Sequence, residues 1–422
     1  MADYFEIIGD KRLKGEIDVR GSKNATTPIL AATLLTKEEC IISNIPLIED
    51  VFRMLEILES LGAKVKWLGK RKISIKAEKI NPDGINFDLM KKIRSSILLI
   101  GALSARCDKF KIARPGGCVI GSRSMDTHFE ALQDMGVKIA HKNKFYQINS
   151  RSRKPAEIVL GEFSVTGTEN AMMLAAGIHG KTIIKIAATE PHVENLGKFL
   201  ISMGAKIKGL GTHTLEIHGS KKLRGVKHTI IPDANEAATF LIMAVATKSP
   251  IKIKNVEKEH LDLVLKKLQD FGSKFIFGKN YIKVIPPEKI IAVGKIDTRT
   301  YPGIPTDVQA PFSVLATQAS GLTLIHDSLY EGRFDHIGEL QKMGAKAKVL
   351  DVHRVFVSGP VQLKGKTITS FNLRAGATLI IAALAAKGKT IINDIYQVDR
   401  GYEKIEERLQ KLGADIKRVK SL

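Results

Sequence analysis

The glycine-rich loop ARPGGCVIGSRSMDTH carries the residue best suited to chemistry in this sequence, Cys118. This cysteine lies between Arg114 and Arg123. Because nearby cations lower the pKa of a thiol, Cys118 could act as an acid or a nucleophile. Three glycines and a proline within eight residues predict a mobile loop, as a lid requires. A lone cysteine is more often inert, and we keep that interpretation for Cys40 and Cys107.

Charged and polar residues recur just before six apolar stretches that have the character of buried helices. The junctions are GSKN (Lys23, Asn24), KKIRSS (Arg94), SVTGTEN (residues 164–170), IPDANEA (Asp233), IPTDVQA (Asp307) and FNLRAG (Arg374). Strand-to-helix junctions favour ligands, since helix N-termini offer free N–H groups to anions. Lys23, Arg94 and Arg374 are poor helix caps and therefore favour anion binding. For Asp233 and Thr168, capping is an equal alternative, because Asp and Thr are common N-cap residues.

These junctions belong to a sixfold repeat in which a helix is followed by a glycine and a short basic strand. The glycines are Gly62, Gly136, Gly204, Gly272, Gly344 and Gly413, with spacings of 74, 68, 68, 72 and 69 residues. Each glycine stands where a helix end needs a left-handed residue. A return strand follows in five copies, and the N-terminal YFEII (Tyr4–Ile8) has the pattern that the sixth copy lacks. We therefore predict that the two ends of the chain lie side by side.

A second repeated element, an apolar helix followed by a turn and a β-rich strand, alternates with the first. Helices that are apolar nearly all round are buried, so we expect the sheets to pack outside them. Each unit reads strand–helix–strand–helix–strand–strand, which predicts a mixed α/β fold of six βαβαββ repeats. Three repeats per domain suit the usual domain size. We predict one domain over residues 22–230 and a discontinuous second domain over residues 1–21 and 231–422, with a ligand cleft between them.

The composition of the 422 residues, 44% hydrophobic and 26% charged, excludes disordered and fibrous proteins. The sequence has neither an apolar run of about 18 residues nor a signal-peptide pattern, so we expect no membrane span and no secretion. Three cysteines fit neither a disulfide framework nor a zinc motif, which indicates a reducing cytoplasm. The net charge of +22 attracts anions, unless the lysines only solvate the surface. With 6% aromatic residues, platforms for stacking nucleic-acid bases have little material.

Six motifs occur in one order across essentially the whole chain: GSKNATTPILAA, RPGGCVIGSR, SVTGTENAMM, PTDVQA, YEGRF and DRGYEKIEERL. In these motifs the chain resembles the UDP-N-acetylglucosamine enolpyruvyl transferases of the enolpyruvyl transferase family. The resemblance implies a two-domain, inside-out α/β barrel fold with three repeats in each domain. It also implies transfer of the enolpyruvyl group of phosphoenolpyruvate to the 3-hydroxyl of UDP-N-acetylglucosamine, with release of phosphate through a tetrahedral ketal. This reaction is the first committed step of peptidoglycan synthesis.

The resemblance further implies a role for individual residues. The phosphoenolpyruvate clamp corresponds to Lys23, Arg123 and Arg400, and further cations to Arg94, Arg333 and Arg374. Cys118 matches a loop cysteine that acts as an acid and is alkylated by fosfomycin, and Asp307 matches the base for the sugar hydroxyl. Asn24 matches a sugar contact and Leu329 a nucleotide contact. The uridine and diphosphate lining corresponds to Arg123, Ser124, Met125, Asp126, Thr127, Phe163, Ser164, Val165 and Thr166.

The resemblance implies neither a metal ion nor a cofactor. The expected partners are the two substrates alone, without nucleic acid or membrane, for a cytoplasmic monomer or weak homo-oligomer. Some positions depart from the family pattern: Asn372 replaces the usual Asp, Ala234 replaces Arg, Leu98 replaces a common Trp, and RSMDT replaces RPVDL. None of these changes removes a reacting group, and they bear instead on inter-domain contacts and nucleotide affinity.

Three other interpretations stay open. A 5-enolpyruvylshikimate-3-phosphate (EPSP) synthase would share the fold and the donor. Such an enzyme lacks the RPGGC loop, however, so the presence of Cys118 argues against this interpretation. A nucleic-acid-binding or RNA-end-processing protein on a similar scaffold would suit the charge, although the junctions lack the histidine that such ligation chemistry requires. An inactive or regulatory paralogue is compatible with the departures.

Overall fold

The computed structural model describes residues 3–116 and 124–420, and the predicted site residues Cys118 and Arg123 lie outside this range. The strands are β1 (Tyr4–Ile8), β2 (Gly15–Asp18), β3 (Glu39–Ser43), β4 (Lys64–Gly69), β5 (Lys72–Lys76), β6 (Lys109–Ala113), β7 (Lys138–Lys142), β8 (Phe145–Asn149), β9 (Glu157–Val159), β10 (Gly180–Lys185), β11 (Lys206–Lys208), β12 (Thr214–Gly219), β13 (Lys227–Thr229), β14 (Ile251–Lys254), β15 (Lys274–Gly278), β16 (Tyr281–Ile285), β17 (Lys295–Thr298), β18 (Gly321–Asp327), β19 (Lys346–Asp351), β20 (Arg354–Gly359), β21 (Thr367–Thr369), β22 (Lys389–Asn393) and β23 (Asp415–Val419). The α-helices are α1 (Lys23–Ala32), α2 (Glu49–Ser60), α3 (Phe87–Lys92), α4 (Leu99–Arg106), α5 (Asp126–Asp134), α6 (Val165–Ala176), α7 (Pro191–Met203), α8 (Ala234–Ala246), α9 (Asp262–Asp270), α10 (Gln309–Gln318), α11 (Asp335–Lys342), α12 (Leu373–Ala385), α13 (Tyr396–Asp399) and α14 (Ile405–Gln410). Short 3-10 helices span Thr33–Leu35, Pro82–Gly84, Arg94–Leu98, Lys258–His260 and Thr306–Val308.

The described residues form two compact units. The central unit comprises residues 21–116 and 124–231, and the discontinuous unit comprises residues 3–20 and 232–420. Sheets β13-β3-β5-β4, β6-β8-β7 and β11-β12-β10-β9 belong to the central unit. Sheets β15-β16-β14-β2, β17-β18-β20-β19 and β21-β22-β1-β23 belong to the discontinuous unit. The architecture is therefore mixed α/β, with three sheets in each unit.

Two short parallel strands stand next to the points where the chain changes unit. β2 immediately precedes α1 in sequence but pairs with β14 in the discontinuous unit. β13 immediately precedes α8 in sequence but pairs with β3 in the central unit. Each unit thus completes one of its sheets with a strand from the segment that leads into the other unit.

The apolar helices lie inside each unit, with sheets packed against them. In the discontinuous unit α8, α10 and α12 contact one another and the inner faces of β14, β18 and β1. Residues 236–246 of α8 and 373–384 of α12 are all buried. The strands alternate, so that Phe5 and Ile7 of β1 are 0% exposed while Glu6 between them is not buried. The prediction of buried helices beneath outer sheets is confirmed.

The six repeat glycines all adopt positive φ angles. The values are 94° for Gly62, 82° for Gly136, 117° for Gly204, 102° for Gly272, 99° for Gly344 and 90° for Gly413. Residues with a Cβ atom rarely adopt this left-handed backbone, which explains why glycine recurs at the end of each helix. The prediction for the N-terminal strand is also confirmed, because β1 lies between β22 and β23 and pairs antiparallel with both.

The second repeat departs from the predicted pattern. Its sheet, β6-β8-β7, has three strands within the described residues, whereas the other five sheets have four. The 3-10 helix Pro82–Gly84 and α3 occupy the segment where the other repeats have a leading strand. Asn81 and Asn86 cap these two helices through their side chains. Proline, glycine and capping asparagines favour turns and helix starts over an extended strand, which explains the difference.

The helices are short compared with the thickness of a lipid bilayer. Helices α7, α8 and α12 have 13 residues each. In residues 3–116 and 124–420 no helix combines the length and the apolar character that a membrane crossing demands.

Candidate active site

Asp307 of the discontinuous unit is held between two arginines. It lies in the 3-10 helix Thr306–Val308, directly before α10. Arg333 Nη2 is 2.9 Å from Asp307 Oδ1, while Arg374 Nη2 and Nε are 2.9 and 3.0 Å from Oδ2. The arginine side chains are only 7% and 9% exposed, so these charge-assisted bonds are largely shielded from water. The structure thus brings three of the predicted site residues together.

Tyr402 extends this cluster into the core. Its hydroxyl accepts a hydrogen bond from Arg374 Nη1 at 3.2 Å and lies 2.9 Å from Thr239 Oγ1. Burial by itself would lower the pKa of Arg374, but the interactions with Asp307, Tyr402 and Asp233 together outweigh burial, so the pKa is raised. Burial raises the pKa of Tyr402. Arg374 therefore stays charged and Tyr402 stays neutral, and Tyr402 is a residue of this network that sequence reasoning missed.

Two other predicted residues of this unit lie at the ends of secondary-structure elements. Arg400 directly follows α13, is 8% exposed and donates from Nη1 to Gln397 Oε1 at 3.3 Å. Leu329 follows β18 and is 38% exposed, so its side chain is accessible to a ligand. Its backbone N–H donates to Asp327 Oδ1 at 3.1 Å, which fixes the turn that carries it.

Lys23 of the central unit begins α1 and forms an ion pair with Asp50. The Nζ and Oδ2 atoms are 3.0 Å apart, and the Asp50 side chain is 3% exposed. Ser22 caps the helix by accepting from the backbone N–H of Ala25 at 3.3 Å. Asn24, the next residue, is half-buried in the first helical turn. An ammonium at a helix N-terminus suits anion binding, because the helix dipole is positive at the same point.

Arg94 and the start of α5 are hydrogen-bonded to each other. Arg94 Nη2 donates to the backbone oxygen of Ser124 at 3.3 Å. The Ser124 hydroxyl donates to the Asp126 carboxylate and accepts from the Asp126 backbone N–H at 3.0 Å. The Met125 side chain is 6% exposed and packs in the hydrophobic core, which leaves only its backbone for contact with a ligand.

The first turn of α5 is also bonded to the segment that begins α6. Thr127 Oγ1 donates to Glu162 Oε1 at 3.1 Å, and His128 Nε2 lies 2.7 Å from Thr166 Oγ1. Burial, with a smaller contribution from Arg94, lowers the pKa of His128 to about 4, so this imidazole is neutral at pH 7. The two predicted nucleotide segments therefore lie side by side. His128 was not predicted, since a single histidine in a helix carries no pattern.

The N-terminus of α6 presents an exposed aromatic ring and a polar cap. Ser164 accepts from the Gly167 backbone N–H at 3.2 Å, and Val165 opens the helix. Phe163 is 48% exposed, and its ring centroid lies 4.8 Å from that of His213. Thr168 is not the cap, because it is buried and donates to the Ser164 backbone oxygen at 2.8 Å.

At the starts of α8 and α12, helix capping explains two residues. Asp233 Oδ1 accepts from the Glu236 backbone N–H at 3.0 Å, as expected for the capping alternative. Asn372 accepts from the backbone N–H groups of Arg374 and Ala375 at 3.1 and 2.9 Å. The departure from Asp to Asn at position 372 therefore keeps the cap that orients Arg374.

Taken unit by unit, the arrangement supplies the groups for anion binding and for proton transfer. The discontinuous unit holds a carboxylate in contact with two guanidinium groups. The guanidinium groups can orient a polar substrate, and the carboxylate can accept a proton. The central unit offers an ammonium at one helix N-terminus and an aromatic ring with polar groups at another, a combination that suits a phosphorylated ligand. Among the described residues, no group of three His, Cys, Asp or Glu side chains could hold a metal ion.

Comparisons with known proteins agree along the full length of the chain. The family profile described as EPSP synthase (3-phosphoshikimate 1-carboxyvinyltransferase) matches residues 7–409. The UDP-N-acetylglucosamine 1-carboxyvinyltransferase 1 of Carboxydothermus hydrogenoformans is 44% identical over 417 residues, covering 99% of this chain and 98% of that protein. The UDP-N-acetylglucosamine 1-carboxyvinyltransferase of Helicobacter pylori is 39% identical over 423 residues, covering 99% of both.

Two solved structures share the fold. The enolpyruvyl transferase NikO from Streptomyces tendae superposes with a TM-score of 0.90 at 24% identity, covering 100% of both chains. EPSP synthase from Acinetobacter baumannii superposes with a TM-score of 0.75 at 17% identity, covering 99% of this chain and 100% of that one. At these identities the likeness concerns the fold alone, and it agrees with the α/β architecture of six repeats.

Proposed function

The chain belongs to the EPSP synthase family of enolpyruvyl transferases, and on that premise we propose that it acts on UDP-N-acetylglucosamine. It transfers the enolpyruvyl group of phosphoenolpyruvate to the 3-hydroxyl of the sugar nucleotide and releases phosphate. The observation that carries this proposal is the sequence identity of 39–44%, over the full length of the chain, with relatives named for that activity. The Asp307 cluster supports it, because the transfer requires a base held in a fixed orientation toward the hydroxyl.

The proposed chemistry is an addition followed by an elimination. Asp307 takes the proton of the sugar 3-hydroxyl as the hydroxyl oxygen bonds to C2 of phosphoenolpyruvate. At the same time Cys118 gives a proton to C3. The tetrahedral ketal then loses a proton from C3 and releases phosphate, which restores the double bond on the sugar. General acid–base assistance of this kind contributes about 10²–10⁴-fold to a rate.

The remaining predicted residues bind the substrates. Lys23, Arg123 and Arg400 hold phosphoenolpyruvate, because its phosphate and carboxylate require cations. Further positive charge comes from Arg94, Arg333 and Arg374. The nucleotide contacts the loop and helix starts formed by Asn24, Ser124, Met125, Asp126, Thr127, Phe163, Ser164, Val165, Thr166 and Leu329.

This assignment places the protein in the cytoplasm, at the first committed step of peptidoglycan synthesis, and makes it a target of fosfomycin through Cys118. An EPSP synthase activity is the second candidate, because the matching family profile bears that description. The RPGGC sequence around Cys118 favours the sugar nucleotide over shikimate 3-phosphate as the acceptor.

Phosphate release from phosphoenolpyruvate tests both candidates with the purified chain. We expect release in the presence of UDP-N-acetylglucosamine and only background release without an acceptor or with shikimate 3-phosphate. Release that depends on shikimate 3-phosphate would instead establish the second candidate. If neither acceptor stimulates phosphate release above the background, the proposed function is overturned, and the protein is a paralogue without this activity.

A further inference from the structure

Asp327 is a buried carboxylate that the proposed reaction does not use. It ends β18 and is 0% exposed. Its Oδ1 atom accepts from Thr298 Oγ1 at 3.0 Å and from the backbone N–H groups of Leu329 and Tyr330 at 3.1 and 3.2 Å. Its Oδ2 atom accepts from the Thr306 hydroxyl. Because a buried carboxylate is costly without such donors, these bonds join β17, the turn after β18 and the 3-10 helix that carries Asp307.

The Thr306 hydroxyl connects Asp327 to the Asp307 cluster in a defined direction. A hydroxyl has one proton, and Thr306 gives it to Asp327, so only its lone pairs face the other side. Arg333 Nη1 donates to these lone pairs at 2.6 Å, and Arg333 Nη2 donates to Asp307 Oδ1 at 2.9 Å. The acceptor character of Asp327 therefore determines how the Arg333 guanidinium is oriented toward Asp307.

A second contact links the same carboxylate to the same arginine. Asp327 holds the backbone N–H of Tyr330, and the Arg333 guanidinium carbon lies 5.6 Å from the centroid of the Tyr330 ring. Leu329, the neighbour of Tyr330, is the residue expected to contact the nucleotide. Asp327 thus stands between the residue expected to act as base and a turn expected to bind the acceptor.

We propose that Asp327 and Thr306 are positioning residues that hold Arg333, and through it Asp307, in the orientation needed to take the proton from the sugar hydroxyl. The inference rests on the proposed function and deepens it, since neither residue touches the reacting atoms. The two oxygen atoms of the Asp327 carboxylate have separate roles: Oδ1 fixes the turn at Leu329, and Oδ2 orients the hydroxyl of Thr306.

Two near-isosteric variants separate this role from simple structural support. Thr306→Val removes the hydroxyl and keeps the shape, whereas Thr306→Ser keeps the hydroxyl and serves as its matched control. In Asp327→Asn, the three donors around Oδ1 require the amide oxygen there, so the amide nitrogen faces Thr306. This nitrogen donates a hydrogen bond to the Thr306 hydroxyl, so the hydroxyl proton must turn toward Arg333. Because Arg333 Nη1 is itself a donor, two donors then face each other and the hydrogen bond between Thr306 and Arg333 is lost.

Steady-state kinetics and calorimetric binding of UDP-N-acetylglucosamine measure the result. We expect Thr306→Val and Asp327→Asn to lower kcat about 10–100-fold, with less than about a threefold change in nucleotide Kd. Thr306→Ser should stay within about threefold of the wild type in both. Asp327→Ala, which also frees the turn at Leu329, should weaken nucleotide binding as well.

The outcomes distinguish the inference from the proposed function. An active wild type whose Thr306→Val and Asp327→Asn variants fold and keep kcat would overturn the positioning role alone. Loss of kcat and nucleotide affinity in equal measure in both variants would also overturn it, because that result describes general damage. A wild type without acceptor-dependent phosphate release would overturn the proposed function. In that case the guanidinium NMR signal of Arg333, assigned with Arg333→Lys, still tests the geometry, since it should shift in Thr306→Val but not in Thr306→Ser.

Discussion

The ammonium of Lys23 lies 3.0 Å from the carboxylate of Asp50, whose side chain is 3% exposed. The residue expected to bind the phosphoenolpyruvate anion therefore has a second role, because it compensates a buried charge of its own unit. An isolated buried carboxylate is costly, so this pair couples the stability of the central unit to the cation at the start of α1.

Lys23→Met should therefore reduce both stability and activity. We expect the free energy of unfolding to fall by about 1–3 kcal/mol, less than for a fully buried pair because Lys23 is 21% exposed. Urea denaturation measures this loss. The double variant Lys23→Met/Asp50→Asn should recover part of the stability, since no charge is left unpaired, but none of the phosphate release. Recovery of both would show that Lys23 acts only through Asp50.

Asp307→Asn should reduce kcat far more than it weakens nucleotide binding. The amide keeps the shape of the side chain but cannot take a proton from the hydroxyl, so kcat should fall about 10²–10⁴-fold. The Kd for UDP-N-acetylglucosamine, measured by calorimetry, should change less than about tenfold. Asp297→Asn is a matched control, because Asp297 also pairs with cations of the same unit, Lys295 at 3.3 Å and Arg299 at 2.9 Å. Comparable losses in kcat and affinity would contradict the role of Asp307 as the base.

Cys118→Asp should keep turnover and abolish inactivation by fosfomycin. A carboxylic acid can still donate a proton, but it lacks the sulfur nucleophile that is alkylated. Cys40 and Cys107 are internal controls, since burial raises the pKa of Cys40 to about 11 and also raises that of Cys107. Mass spectrometry of the inactivated wild type should therefore find the adduct on the Cys118 peptide. An adduct on Cys40 or Cys107, or unchanged inactivation of Cys118→Asp, would refute the assignment.

His128 should make the central unit less stable in mild acid. Its pKa is about 4 in the folded protein and 6.5 ordinarily, so the unfolded chain binds the extra proton first. Its contribution to stability is complete above pH 6.5 and is lost as pH falls toward 4, at up to about 1.4 kcal/mol per pH unit.

His128→Gln keeps a hydrogen-bonding group beside Thr166 but does not titrate in this range. Urea midpoints between pH 7 and pH 4 should therefore fall less steeply in this variant than in the wild type. His141→Gln is the control, because His141 is exposed on β7. Burial lowers the pKa of His336 to about 3, so the discontinuous unit should lose stability in the same direction in both proteins. Parallel pH profiles for the wild type and His128→Gln would disprove the prediction.

Local signals made the repeats visible in the sequence, whereas polar contacts between distant segments left none. The glycine after each helix and the alternation within β1 follow from the backbone conformation of a few neighbouring residues. No sequence pattern indicates Asp50, Asp327 or Tyr402, because each has a partner on another element. Tyr402 and Thr239, for example, are 163 residues apart. A buried polar network depends on how elements pack, and no single stretch of sequence encodes that.

The position of β1 between β22 and β23 has a consequence for biosynthesis. β1 is translated long before β22 and β23, so it finds both neighbours only when translation has passed Val419. The segment from residue 21 to residue 231 is contiguous, so it can fold while translation continues. Until then β1 is an unpaired strand in the nascent chain, and its exposed edge is open to wrong partners.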